Sequence, residues 1–141
     1  MRFNFDMDGT IANLYGVENW LEKLQAFDSS PYQDAKPLVN MARLAKALHK
    51  VQRKGHKIVI LSWMSKDNNA DYNRKVANAK KEWLARHLPS VQWDEILIVA
   101  YGTPKQKVSN GILFDDEEPN RKNWGKGAYK PTEIFAVLAE G

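Results

Sequence analysis

Met1-Arg2-Phe3-Asn4-Phe5-Asp6-Met7-Asp8-Gly9-Thr10 decides how the rest of the chain is read. Phe3 and Phe5 alternate with polar residues, as in a short strand entering a core. The strand then runs into two carboxylates one residue apart, followed by Gly-Thr. At the carboxyl end of a buried strand, Asp6 and Asp8 would leave the sheet together and point into the crevice where open α/β sheets bind ligands. Two anions this close repel, and a bound cation is the natural way to keep both ionised. Gly9 permits a sharp turn and brings backbone N–H groups near a ligand, while Thr10 adds a hydroxyl donor. Asp-x-Asp-Gly alone equally suits a turn or a helix cap, so the weight falls on what lies downstream.

A chain of 141 residues with 43% apolar residues and five tryptophans suits one globular domain with a real core. There is no cysteine, hence no disulfide framework, thiolate zinc site or cysteine nucleophile. That composition fits a reducing compartment. No basic-then-apolar leader and no apolar run of membrane-spanning length is present, so the expectation is a cytoplasmic protein without a membrane partner. The net charge of +4 is unevenly spread: residues 36–86 carry 13 Lys+Arg against Asp67, Asp71 and Glu82, or +10, which leaves −6 elsewhere. A basic surround attracts a phosphorylated substrate, although most of these lysines individually suit solvated helix faces.

Outward from the first stretch, Ile11, Leu14, Val17, Trp20, Leu21, Leu24 and Phe27 recur at helical spacing. Residues 28–32 break that pattern, and Pro37 suits a helix N-terminus. Leu38, Met41, Leu44, Ala45, Leu48 and Val51 line a second helix, with Gly55 placed to stop it. Residues 57–62 are a continuous apolar run ending in Ser62, as in a parallel strand covered on both faces. After a polar loop at 63–70, Asp71 or a neighbouring asparagine caps a helix carrying Val76, Ala79, Trp83, Leu84 and Leu88. Strands are expected at 95–100 and 111–114, the latter running into Asp115-Asp116. The basic stretch 119–130 reads as a mobile loop and 132–139 as a final helix capped by Thr132. The order β, α, α, β, α, β, β, α predicts a three-layer α/β/α fold with a mostly parallel sheet.

Polar residues of different kinds thus fall at successive strand ends. Hydrolysis of a phosphate ester needs such a set: a nucleophile, a proton carrier, a cation for the phosphoryl oxygens and donors that hold the group in line. Asp6 suits the nucleophile and Asp8 the general acid and base. Ser62 suits a donor to a phosphoryl oxygen, and Lys105 or Lys107 the positive charge. Asp6, Asp8, Asp115 and Asp116 offer the oxygen ligands that Mg²⁺ prefers, and the residues do not choose between Asp115 and Asp116. His49, His56 and His87 sit in or beside helices, as surface or packing residues.

Those four motifs in that order resemble the haloacid dehalogenase superfamily across nearly the whole chain. Within it the likeness is greatest to 5′(3′)-deoxyribonucleotidases. Lys81-Glu82-Trp83-Leu84-Ala85-Arg86-His87-Leu88-Pro89 is similar to the helix after their second motif, and Thr103-Pro104-Lys105 to their third-motif lysine segment. The resemblance implies a Rossmannoid fold, Mg²⁺ as cofactor and an aspartyl-phosphate on Asp6. It also implies Lys105 in preference to Lys107, phosphate contacts from Gly9, Thr10, Ser62, Trp63 and Lys105, and a nucleotide substrate. Those nucleotidases carry a helical cap after the first motif, whereas only about residues 13–36 are available here. So reduced a cap leaves an open site, in which Tyr15, Trp20, Phe27 and Tyr32 either stack on a base or pack on the core.

The alternatives are a phosphatase for nucleic-acid 3′ or 5′ ends or for another small phosphorylated metabolite, and a non-catalytic phospho-accepting or phosphate-binding module. A receiver module places its acceptor aspartate on a middle strand, where this chain has Ser62.

Overall fold

The computed structural model describes residues 1–141. In chain order the elements are β1 (Arg2–Phe5), β2 (Ala12–Asn13), α1 (Trp20–Gln25), α2 (Ser30–Asp34), β3 (Lys36–Pro37), α3 (Met41–Arg53), β4 (Lys57–Trp63), α4 (Ala70–His87), β5 (Glu95–Val99), β6 (Ile112–Phe114), α5 (Glu118–Trp124), β7 (Ala128–Tyr129) and α6 (Ile134–Glu140). Turns of 3₁₀ helix lie at Leu14–Gly16, Lys105–Lys107 and Pro131–Glu133. No helix is long and apolar enough to cross a membrane.

Five strands form one sheet in the order β5-β4-β1-β6-β7, every pair parallel. The fold is the α/β Rossmann-like one expected. Phe3 and Phe5 register with Ile58 and Ile60 on one side, and Phe5 with Phe114 on the other. These side chains share a sheet face with Leu44, Leu48 and Val51 of α3, Trp83 and Leu84 of α4, and Ile134 and Leu138 of α6. The helices form there because their apolar residues recur on one side and an asparagine starts each long one. Asn40 accepts the Arg43 N–H at 2.9 Å, and Asn69 accepts the Tyr72 N–H at 3.0 Å. The chain leaves β1 in one direction to β4 and β5, and in the other to β6 and β7. The crevice at such a switch point, beyond the carboxyl ends of the strands, is where open α/β sheets bind ligands. Asp6 and Asp115 stand there as the residues that follow β1 and β6.

Several segments depart from the expected order. Residues 11–27 do not form one helix. The N–H groups of Thr10, Ile11 and Ala12 all converge on the Met7 carbonyl at 3.0 Å, and only Trp20–Gln25 is α-helical. Asn19 (φ 57°) and Phe27 (φ 60°) bracket that helix in the left-handed region, which no helix continues through. Ile11 and Leu14 are buried from turns, so their spacing mimicked a helix. The expected break at 28–32 contains the start of α2, with Pro31 in its first turn, where no N–H is required. Pro37 lies in β3, and α3 starts four residues later. The stretch 119–130 is not a loop: α5 and β7 occupy it, with the Asp115 N–H donating to the Tyr129 carbonyl at 3.1 Å. The final helix is preceded by a 3₁₀ turn in which Glu133, not Thr132, caps, accepting the Lys130 N–H at 2.8 Å.

Residues 12–37 form a compact insert rooted on the antiparallel β2–β3 pair. They are fastened along α4. Trp83 Nε1 donates to the Ala35 carbonyl (2.7 Å), Tyr72 Oη to the Asp28 carbonyl (2.9 Å) and Gln33 Nε2 to Glu82 (3.1 Å). Tyr32 packs with Leu14, Tyr72, Val76 and Ala79.

Candidate active site

Three carboxylates meet where β1 and β6 end. One oxygen each from Asp6, Asp115 and Asp116 lies within 4.8 Å of the others. Lys105, on the turn after β5, reaches under them. Its Nζ donates to Asp6 Oδ1 at 3.0 Å and to Asp115 Oδ2 at 2.7 Å. Lys107 is exposed and takes no part. Asp115 is held in place on both oxygens, since its Oδ2 also accepts from Asn120 Nδ2 (3.1 Å) and its Oδ1 from the Glu117 N–H (2.9 Å), which leaves a lone pair on Oδ1.

Thr10 is wholly buried within the cluster. Its hydroxyl donates to Asp6 Oδ2 at 3.0 Å, lies 3.2 Å from Asp116 Oδ1, and accepts the Asp116 N–H at 3.2 Å. Thr10 thus braces two carboxylates. The Gly9 N–H donates to the Ala12 carbonyl at 2.8 Å, so it is spent on the turn. What Gly9 provides is room: at φ +81° its missing side chain leaves space for the Asp116 carboxylate, which any Cβ would strike.

One ammonium does not offset three carboxylates. Burial, then Asp6, pushes the Asp116 carboxyl up to about 7. Asp115 is also raised, by burial first and Asp6 second, against the pull of Lys105. Three hard oxygen donors with uncompensated charge fit Mg²⁺. Asp8, expected among the ligands, stands outside this cluster.

Asp8 has a partner that the sequence reading did not name. Lys80 of α4, almost fully buried, spends all three of its N–H bonds: on Asp8 Oδ2 (2.8 Å), Ser62 Oγ (2.7 Å) and the Trp63 carbonyl (2.7 Å). Ser62, read as a phosphate donor at a strand end, is buried inside β4 and does not border the cleft. Burial pushes the Asp8 carboxyl up and Asp6 adds to this, while Lys80 opposes both. The signal for Lys80 was present: position 80 falls four residues after Val76 and four before Leu84, on the buried side of its helix.

Above the carboxylates opens a cleft of about 460 Å³. Asp6, Asp8, Lys105 and Asp115 lie on its floor. Tyr15, Trp20 and Tyr32 of the insert line one part, and Trp63 and Tyr101 another. Trp63 donates its ring N–H to the Thr103 carbonyl (2.8 Å), so its ring, not its N–H, is what the cleft meets. Phe27 does not line the cleft and packs edge-on against Tyr72 at 5.5 Å. The histidines lie elsewhere: His56 against Phe3, His87 against Trp83, and His49 on the Ser90 carbonyl.

Residues 27–129 match the family model described as 5′ nucleotidase, deoxy (pyrimidine), cytosolic type C protein (NT5C). The chain belongs to that family. That family is of the haloacid dehalogenase type, whose members are hydrolases of phosphoric monoesters. The nucleotidase match begins after the first motif, so Asp6 and Asp8 stand outside it and rest on the geometry above. No curated protein matches. Among solved structures, the chain is similar to one in the structure of a Pnkp1/Rnl/Hen1 complex, with TM-score 0.59 and 17% identity. That likeness covers 92% of this chain and 44% of that one, so this nucleotidase-family chain spans less than half its length. It is also similar to D,D-heptose 1,7-bisphosphate phosphatase from Burkholderia thailandensis, with TM-score 0.60 and 11% identity over 99% of this chain and 96% of that one. At such identities the likeness shows the fold alone.

Proposed function

We propose that this chain is a Mg²⁺-dependent phosphomonoesterase of (deoxy)nucleoside monophosphates that works through an aspartyl-phosphate on Asp6. One observation carries the reading. Asp6 is held from behind by Lys105 and Thr10 on the floor of an open cleft, beside Asp8 on its own lysine. Two carboxylates in different environments suit two roles.

In the first step an Asp6 oxygen attacks phosphorus and the P–O bond to the sugar breaks. Asp8, its carboxyl raised by burial, gives its proton to the leaving sugar oxygen. In the second step water attacks the aspartyl-phosphate, Asp8 takes the proton, and inorganic phosphate leaves with Asp6 restored. Lys105 binds the phosphoryl group and holds the Asp6 carboxylate in place. Lys80 orients Asp8, with Ser62 and the Trp63 carbonyl as its other anchors. Asp6, Asp115 and Asp116 would hold Mg²⁺, which offsets the charge on the phosphoryl oxygens. We read residues 13–36 as a reduced cap. Its Tyr15, Trp20 and Tyr32 offer a nucleobase an apolar face within reach of the floor.

The test is phosphate release from a panel of nucleoside monophosphates, with and without Mg²⁺ and with Asp6→Asn as control. Mg²⁺-dependent release from deoxynucleotides, lost in the variant, is expected. Release from an aryl phosphate alone overturns the nucleotide assignment, and full activity of Asp6→Asn overturns the mechanism.

A further inference from the structure

The cleft carries more aromatic surface than one base uses. Tyr15 and Trp20 meet edge to face, ring centres 5.0 Å apart, on the insert. Trp63, the last residue of β4, and Tyr101, on the loop after β5, form a second pair at 5.0 Å, with planes 59° apart. Tyr15 is 46% exposed and Tyr101 51%. Single exposed aromatics are ordinary, but two pairs bordering one cleft make a patch, and such patches mark binding sites.

A nucleoside monophosphate with its phosphate over Asp6 has one base and covers one of these pairs. Lys66 adds a charge that this substrate does not use. It lines the same cleft, is exposed, and makes no ion pair. It belongs to the stretch 36–86, whose net charge is +10. The insert is fastened to α4 through Asp28, Gln33 and Ala35 and lines one part of the cleft. Aromatic faces for successive bases, with cations for the intervening backbone, are the means by which proteins hold single strands.

We propose that the phosphorylated end of a single-stranded nucleic acid is the preferred substrate. The terminal phosphate lies over Asp6, the terminal base against Tyr15 and Trp20, the next base on Trp63 and Tyr101, and Lys66 faces the phosphodiester between them. This rests on the phosphatase chemistry above and extends it. The bond broken is the same, between the terminal phosphorus and its sugar oxygen, with Asp8 protonating that oxygen.

The test compares phosphate release from a nucleoside monophosphate, a 5′-phosphorylated oligonucleotide and a 3′-phosphorylated one, in Mg²⁺, for the native chain, Tyr101→Ala and Tyr101→Phe. The expected result is a kcat/KM at least about tenfold higher for one of the oligonucleotides than for the mononucleotide. Tyr101→Ala should remove that advantage and Tyr101→Phe keep it, with mononucleotide hydrolysis within about twofold in both. The oligonucleotide reaction should also weaken more steeply with salt, because only a polyanion releases many counterions. Mononucleotides hydrolysed as fast as either strand, or Tyr101→Ala lowering both substrates equally, overturns the inference and leaves the nucleotidase reading standing. Turnover of an aryl phosphate alone overturns both.

Discussion

Lys80 and Asp8 lie 72 residues apart in the chain and 2.8 Å apart in the fold. The pair joins the middle of α4 to the first motif, in a buried pocket where the ammonium has three protein acceptors. A buried ion pair of this kind adds little stability by itself, but breaking it leaves a charge stranded.

Replacement of Lys80 by methionine therefore has two effects. Unfolding free energy falls by about 3 kcal/mol, because Asp8 and Ser62 lose their partner. Mg²⁺-saturated kcat falls about a hundredfold with KM little changed, since Asp8 is no longer held for proton transfer. Lys80→Arg does not restore the rate, because a planar guanidinium cannot direct three bonds to these acceptors. In Asp8→Asn the added Lys80→Met change costs little further activity, and a double-mutant cycle on kcat reads that coupling.

Asp6→Asn should lose at least about a thousandfold in kcat, as removal of a nucleophile does. It should also leave the metal-free protein no less stable than the native one. The change takes one charge from a cluster of three carboxylates, and Lys105 keeps Asp115 at 2.7 Å. Thermal unfolding without Mg²⁺, beside phosphate release with it, separates the two effects.

The pH dependence follows from Asp116, whose carboxyl is raised from 3.8 to about 7 by burial and then by Asp6. Between those values the folded, metal-free protein holds a proton that the unfolded chain does not. Asp116 thus contributes stability that is present below about pH 4 and fades as pH rises through about 7. Mg²⁺ competes with that proton. The rise in Tm on adding Mg²⁺ should be larger at pH 8 than at pH 6, and Asp116→Asn should abolish the difference.

Trp83→Phe should loosen the insert without touching the carboxylates. The substitution keeps the ring in the core but strands the Ala35 carbonyl, which accepts the indole N–H at 2.7 Å. A loss of about 1–3 kcal/mol is expected, with limited proteolysis appearing first within residues 28–35. An unchanged cleavage pattern would show that this bond does not hold the insert.

The sheet was legible because its strands announce themselves in different ways. Phe3 and Phe5 alternate, residues 58–61 are apolar on both faces, and Leu113–Phe114 runs directly into Asp115. The carboxylates were legible for the same reason, since each follows a recognisable strand. Lys80 was not, because a lysine within a basic stretch reads as solvated; only its place on the apolar side of α4 marks it. Spacing misled at Ile11 and Leu14, which face inward from turns rather than from one side of a helix. β7 has only two residues and no pattern of its own; it exists because β6 offers it an edge, with the Leu113 N–H donating to the Gly127 carbonyl at 2.9 Å. Gly9 and Thr10 were recognised as part of the site, but their bonds turned out to be internal to it.

Tyr72, Lys80 and Trp83 all project from α4, two toward the insert and one toward Asp8. The insert that lines the cleft and the carboxylate proposed to move the proton are thereby tied to one helix. On the reading proposed above, substrate and phosphate share one mouth and no hinge is called for. A viscogen series is expected to leave kcat unchanged, as for a site with no gating motion.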